Sequence, residues 1–600
     1  MKSCIKTKDG VPALFVDGIH VPEMAYTTYF QENNRYEDFI RAGYRIFFIN
    51  ISFTRQPINC ANTGFCPFLA GVYDDPDKSD YSELEDYVEE ILQICPDALI
   101  VPRIYISMPQ WWVKANPDET FDTPKGGRRE LIFSDAFRKD GSALLLRMVR
   151  HIRNSSYSKN ILGYQICGGQ TQEWFCHDHF GCLSPAAEPY YRAWVKEKYG
   201  EDATLPVAED FTGNGAVLCE NENAKRYAEF CNTAVTESIT YFAKALKEEI
   251  NFEQIVGAFY GYSFDISNPL TGSHALRLLL DSPYVDFFCS PNAYSRQRTL
   301  GIDWKDQFPV DSLKLHGKLC FIECDIRTYL TKSIQESRPG VYPEGIYIQQ
   351  QGVGASVWSG PPTPELSREA LRKCFSHQVS KASAIWWFDM WGGWYDDPIL
   401  MDDLNRMNDI YINGAVKSSD SLSSELIFFA DERAYANVSK SHPVQRSVAE
   451  THIEMGNTGV PYDTYLVEDA SEILENYKAA IFSAPVPSEA GKKAMELCRQ
   501  KGIPYLTATL EHHTFNADEI REFLKSTDVH IYNDEKDVIY AGYGYFAIHA
   551  ATAGEKHLKL PTNCHIVPIF GSDIPEQDGD EIVLNMYQYQ TALFNIIPHR

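Results

Sequence analysis

Along the first two thirds of the chain, short apolar runs alternate with longer stretches whose apolar residues recur every three or four positions. The runs at 23–29, 45–53, 98–106, 161–167, 254–262, 285–291, 318–325 and 384–390 read as strands. Between them, 81–94, 142–153, 223–249 and 363–380 carry the period of amphipathic helices. RIFFINISF, VDFFCSP, KLCFIEC and AIWWFDM are continuously apolar, as strands covered on both faces are. Eight strand–helix alternations predict an α/β fold, a (β/α)8 TIM barrel over 1–413 with long insertions. The competing open, doubly wound sheet carries a Gly-rich turn after its first strand, and none stands there.

The Ser-rich stretch 414–424 (GAVKSSDSLSS) reads as a linker. After it the alternation restarts on a smaller scale: ELIFFADE, PYDTYL, KAAIFSAP and PYLTAT as strands, separated by helical patterns such as SEAGKKAMELCRQKG. This predicts a second α/β domain over 424–530. From 535 to 600 the pattern is all-β, in runs such as VIYAGYGYFAIHAATAG and KHLKLPTNCHIVPIFG punctuated by Gly and Pro, and predicts a small C-terminal β-sandwich.

Composition narrows the partners. A formal charge of -27 argues against nucleic acid and anionic membranes, whose phosphates demand clustered Lys and Arg, and fits a neutral substrate. Aromatic residues make up 13% of the chain, an ample supply of flat surfaces for the apolar faces of sugar rings. No run reaches the ~18 apolar residues that span a bilayer, and the opening MKSCIKTKDGVPALFVDG has no apolar h-region and no cleavage site. Cysteines are odd in number, 15, and several sit inside apolar strands (Cys167, Cys289, Cys320), which reads as reduced thiols in a cytoplasmic protein. Cys60, Cys66, Cys176, His177, His179 and Cys182 cluster along the sequence, but no CxxC pair anchors a zinc site, and no metal is expected.

Barrels place their chemistry at the carboxyl ends of strands, so an acid there that a solvated loop explains poorly is a candidate. Two qualify. Glu173 follows the fourth strand in GGQTQEWF, beside Trp174 and Phe175, where partial desolvation suits a general acid. Glu323 lies inside KLCFIECDIRT on the seventh strand, among residues that would otherwise be core, and Glu is almost never buried without a partner or a task. Arg103 stands in the apolar third strand, LIVPRIYIS, where a buried guanidinium calls for an acidic partner such as a carboxylate of the site. Trp387, Trp391 and Trp394 sit at a glycine-rich strand end, where one or two are expected to stack on sugar while Trp386 packs outward. Trp111 and Trp112 after the third strand are further candidates, and Asp325, Arg327 and Thr328 stand close behind Glu323.

Acids on the fourth and seventh strands match the arrangement of the retaining glycosidases built on this barrel. AIWWFDMWGGWYDDPILM resembles the eighth-strand signature of glycoside hydrolase family 42 β-galactosidases, and the domains at 424–530 and 535–600 resemble that family's flavodoxin-like trimerisation domain and C-terminal sandwich. The resemblance implies a homotrimer that hydrolyses terminal β-galactosides of small glycosides or oligosaccharides. Glu323 is then the nucleophile and Glu173 the acid/base, the two carboxyl groups about 5–5.5 Å apart, with a covalent glycosyl-enzyme and no metal or organic cofactor. Tyr294, in CSPNAYS, falls where related enzymes keep a Tyr that donates to the nucleophile. The chain departs from family 42 at Gln172, where the family has the Asn that holds the sugar 2-hydroxyl. That leaves open a β-mannosidase like those of family 164, in which the 2-hydroxyl is axial; a catalytically silent sugar-binding protein is the reading from another class. Flavin binding is not expected, since no phosphate-cradling loop follows ELIFFADE.

Overall fold

The computed structural model describes residues 1–55, 70–123, 127–169, 172–176, 183–294, 298–340, 359–414, 422–440 and 442–599. Eight strands form a closed barrel: β1 (Met24–Thr27), β2 (Ile46–Ser52), β3 (Leu99–Tyr105), β4 (Gly163–Cys167), β5 (Ile255–Phe259), β6 (Phe287–Pro291), β7 (Leu319–Cys324) and β8 (Ala384–Phe388). All are parallel, and β8 closes on β1 with Ile385 opposite Met24. These are the eight expected strands, each trimmed by a residue or more. The helix expected at 142–153 begins earlier, at Asp135, because Ser134 caps it by accepting from the Phe137 amide.

An antiparallel ribbon, Ser3–Lys8 and Val11–Val16, covers the floor of the barrel. Ser3 Oγ donates to the Leu162 carbonyl and accepts from the Ile255 amide, tying the ribbon to the amino ends of β4 and β5. Above it the interior fills with rings. Phe48 stacks on Trp386 at 4.8 Å and meets the edges of Phe321 and Phe287. The next layer up holds the Arg103 guanidinium, and the candidate acids stand near the carboxyl ends above it.

After the barrel, four parallel strands, β9 (Leu426–Ala430), β10 (Tyr462–Leu466), β11 (Ala479–Phe482) and β12 (Tyr505–Thr507), pair in the order β10-β9-β11-β12. That is the flavodoxin-like order, with helices Ser447–Met455, Glu489–Lys501 and Ala517–Leu524 between and after the strands. The C-terminal strands, β13 (Val538–Gly542), β14 (Tyr545–His549), β15 (Gly554–Phe570), β16 (Gln577–Met586) and β17 (Thr591–Pro598), are antiparallel in the order β13-β14-β17-β15-β16. They form one sheet. Its register shifts between Lys559 and Cys564 and between Pro568 and Phe570, and bulges of this kind bend a strand. Phe546, Ile566, Leu584 and Phe594 thereby share one apolar cluster.

The linker residues 415–421 lie outside the described residues, as do Cys60, Cys66, His177, His179 and Cys182. Among the described residues every cysteine is a free thiol and all but Cys4 are buried. No described helix is long and apolar enough to cross a membrane, and no three described His, Cys, Asp or Glu side chains are placed to hold a metal ion.

Candidate active site

Glu173 comes off β4 through a tight path. A Cβ on Gly168 would lie 2.8 Å from the Trp174 ring, so the glycine is what lets the backbone pass. Gln172 and Trp174, on either side of Glu173, both have positive φ, +64° and +61°. Non-glycine residues pay about 1–3 kcal/mol for such a conformation, and it persists where neighbours over-determine it. Here the neighbours are plain. Trp174 donates its indole N–H to the Ile166 carbonyl and is buried. Gln172 is buried and donates to Ser107 Oγ at 2.6 Å; Ser107 also accepts from Arg129, which is paired with Glu130. Glu173 itself is partly buried.

Tyr262, three residues past the end of β5, donates its hydroxyl to Glu173 Oε1 at 2.9 Å. Its ring packs on Phe175 at 5.1 Å and its φ is +76°. Nothing in the sequence marked it out beyond its place at the end of the run 254–262, in YGYSF.

Glu323 is the last inward-facing residue of β7 and only 3% exposed. Burial pushes its carboxyl well above the ordinary carboxylate range; Asp325 and Glu173 add to the rise, while Arg103 and Arg298 oppose it. Tyr29, Cys167 and Tyr262 each feel the charges of both Glu173 and Glu323. Glu173 follows β4 and Glu323 lies near the end of β7, so both acids stand at the carboxyl-end face of the barrel.

Around them the expected residues are placed unevenly. Arg103 is fully buried, yet it forms no ion pair among the described residues, contrary to the acid partner expected for it. Its guanidinium instead lies within 5.0–6.0 Å of the ring centres of Trp386, Tyr105, Phe259, Tyr29 and Phe388. Five rings filled the space where an acid could have stood, and Arg103 acts on Glu323 through space. Tyr294 donates at 2.8 Å to Asp325 Oδ2, not to Glu323 as the resemblance implied. Asp325 is ion-paired with both Arg298 and Arg327, and this group braces the chain just beyond Glu323.

The tryptophans correct the expectation most directly. Trp386 faces into the barrel, and Trp387 faces out, donating its indole N–H to the Tyr44 hydroxyl at 3.0 Å. Adjacent strand residues point to opposite faces, so one residue of phase exchanges the pair. Trp391 is buried beside Tyr29 and Phe30, at 6.0 and 5.2 Å. Trp394 lies against the Arg327 guanidinium at 4.9 Å. Asp389 shapes this loop by accepting from the Gly393 and Trp394 amides and the Tyr26 hydroxyl; burial pushes its carboxyl up to about 7. Trp111 and Trp112 turn away to the Tyr73 carbonyl and Asp140.

Chemically, the mouth offers one acid held by a phenol and one buried acid flanked by cations, with aromatic walls. No protein-family model matches the sequence, and no curated protein matches it. Solved structures do. The chain is similar to the cold-adapted β-galactosidase of Rahnella sp. R3, with a TM-score of 0.60 and 10% identity over 99% of this chain and 100% of that one. It is similar to a catalytic mutant of Gan42B, a GH42 β-galactosidase from G. stearothermophilus, with a TM-score of 0.59 and 9% identity over 94% and 95%. An exo-carrageenase GH42 from Bacteroides ovatus gives a TM-score of 0.57 and 11% identity over 100% and 85%. At such identities the likeness is one of fold. The chain shares the fold of these structures over nearly its whole length.

Proposed function

We propose that the protein is a retaining exo-β-glycosidase acting on terminal non-reducing β-galactosides, with Glu323 as nucleophile and Glu173 as acid/base. The observation that carries this reading is that these two acids stand at the carboxyl ends of β4 and β7, Glu173 held by the Tyr262 hydroxyl and Glu323 buried. Glu323 in its ionised form attacks the anomeric carbon while Glu173 protonates the departing oxygen. Glu173 then takes a proton from water, which displaces Glu323 and releases the sugar with its configuration kept. Arg103 and Arg298 favour the ionised Glu323 that attack requires. Trp391, 3% exposed and packed beside Tyr29, is the ring proposed to lie against sugar, with Gln172 in the loop after β4 and Trp394 in the loop after β8.

Gln172 keeps a β-mannoside as the second reading, since its side-chain amide replaces the one that in family 42 holds the 2-hydroxyl. Its carbonyl oxygen is buried with no partner among the described residues, which leaves an acceptor for a sugar hydroxyl. The flavodoxin-like unit is proposed to assemble the chain as a homotrimer, to be tested by sedimentation, and the free buried thiols support a cytoplasmic setting.

A panel of nitrophenyl β-glycosides tests the assignment. Galactoside hydrolysis is expected in the native protein, with loss of at least a thousandfold in both Glu173→Gln and Glu323→Gln. Azide added to a small-residue variant at 173 is expected to yield a β-glycosyl azide, and at 323 an α-glycosyl azide. Full activity in either Gln variant removes that residue from the mechanism; binding without turnover in the native protein favours the silent sugar-binding reading.

A further inference from the structure

The flavodoxin-like unit reaches the acid/base through a single turn of the barrel. Glu432 stands just past β9, at the carboxyl end of that strand, where doubly wound sheets hold their ligands. Here that end meets the barrel. Ser263 donates to Glu432 Oε1 at 2.6 Å, and the Leu276 amide donates to Glu432 Oε2 at 2.8 Å. Tyr435 donates to the Ser263 carbonyl at 3.0 Å. Phe264, the next residue, is buried with its ring 5.7 Å from Phe428 of β9 and 4.4 Å from His452. Two consecutive residues after Tyr262 are thus gripped by side chains of the second unit. The barrel adds backbone bonds of its own, from the Phe264 amide to the Gln307 carbonyl and from the Ile266 amide to the Tyr262 carbonyl.

Tyr262 itself has a φ of +76°, which a tyrosine in a free loop would abandon. In that conformation its hydroxyl reaches Glu173 Oε1 at 2.9 Å. We propose that Tyr262 is the positioning residue of the acid/base and that the flavodoxin-like unit, through Glu432, Tyr435 and the rings around Phe264, holds the turn that aims it. This rests on the assignment of Glu173 above and gives the second unit a part in catalysis within its own chain. With one carboxyl oxygen held by the phenol, the plane of the Glu173 carboxyl is set before substrate arrives. Proton donation to a leaving oxygen depends on that plane, whereas attack by Glu323 does not.

The test separates positioning of the acid from general support of the fold. The values of kcat/KM are measured for a dinitrophenyl glycoside, whose leaving group departs without a proton, and for a phenyl glycoside, which needs one. Tyr262→Phe and Glu432→Leu are expected to lose on the order of tenfold or more on the phenyl substrate and less than about twofold on the dinitrophenyl one. Equal losses on both would overturn the proposal. Crystal structures of Glu432→Leu supply a readout that needs no activity: the Tyr262 hydroxyl is expected to have left Glu173, and its staying in place refutes the clamp. Tyr435→Phe, which removes one hydroxyl from the same clamp, carries both readouts if Glu432→Leu does not fold. If the native protein cleaves neither glycoside, the hydrolase assignment falls, and the crystal structure still decides the clamp.

Discussion

Arg103 is a cation placed where folding alone would not put one. All three guanidinium nitrogens are buried without a hydrogen-bond acceptor among the described residues, and the ring faces around them offset only part of that desolvation. Under the proposed mechanism its service is to Glu323, whose carboxyl burial has pushed upward and whose ionised form Arg103 favours. Arg103→Met, similar in volume and uncharged, is therefore expected to leave the melting temperature unchanged or raise it while activity falls. The sign in pH follows. With the cation gone, the ionised carboxylate loses a stabilising neighbour, its pKa climbs further, and the acid limb of kcat/KM moves to higher pH. A move of about one unit corresponds to about 1.4 kcal/mol. A pH–rate profile whose acid limb stays in place in Arg103→Met would show that Glu323 does not depend on this charge.

At the scale of the element, β8 and the loop after it decide which rings a substrate meets. Trp387→Phe is expected to cost stability, about 1 kcal/mol for the lost bond to Tyr44, and to leave KM within twofold. Trp391→Ala is expected to raise KM about tenfold, because its ring packs against Tyr29 in the loop proposed to meet the sugar. Equal KM effects in the two variants would mean that the facing of β8 is not what sets the pocket. This strand also shows where sequence reading stops. Continuous apolar runs betray strands buried on both faces, so all eight barrel strands were legible; the same continuity erases the alternation that tells inside from outside, so Trp386 and Trp387 were assigned the wrong way round. Glu323 stood out as a candidate because a carboxylate in an apolar run has few innocent explanations. Tyr262 did not, because a tyrosine at a strand end is commonplace and its meaning lies in a backbone angle and in contacts made far along the chain. The loop itself depends on Gly392, whose φ is +80° and where a Cβ would fall 2.4 Å from that of Asn33.

At the scale of the whole molecule, the three units meet through buried acids of the barrel and its neighbours. Asp303 accepts from Tyr462 of the flavodoxin-like unit and from Tyr540 of the C-terminal sheet, and Glu369 accepts from the Thr591 amide and the Tyr587 hydroxyl. Glu432 is the member of this set whose titration can be read from outside. Burial pushes its carboxyl up to about 8, against about 4.3 in an unfolded chain. Between those values the folded protein keeps a proton that the unfolded chain gives up. The stability this group contributes is therefore whole below about pH 4 and is withdrawn as pH rises toward 8, at roughly 1.4 kcal/mol per unit, with no further slope above 8. Glu432→Gln cannot titrate, and every other ionisable group is common to the two proteins. The unfolding free energy of the variant minus that of the native protein is thus expected to rise steadily from pH 5 to 8 and then to level off. Urea unfolding at pH 5, 6.5, 8 and 9 measures it, and a difference that stays constant across that range would mean that Glu432 is ionised in the folded protein at every one of these pH values.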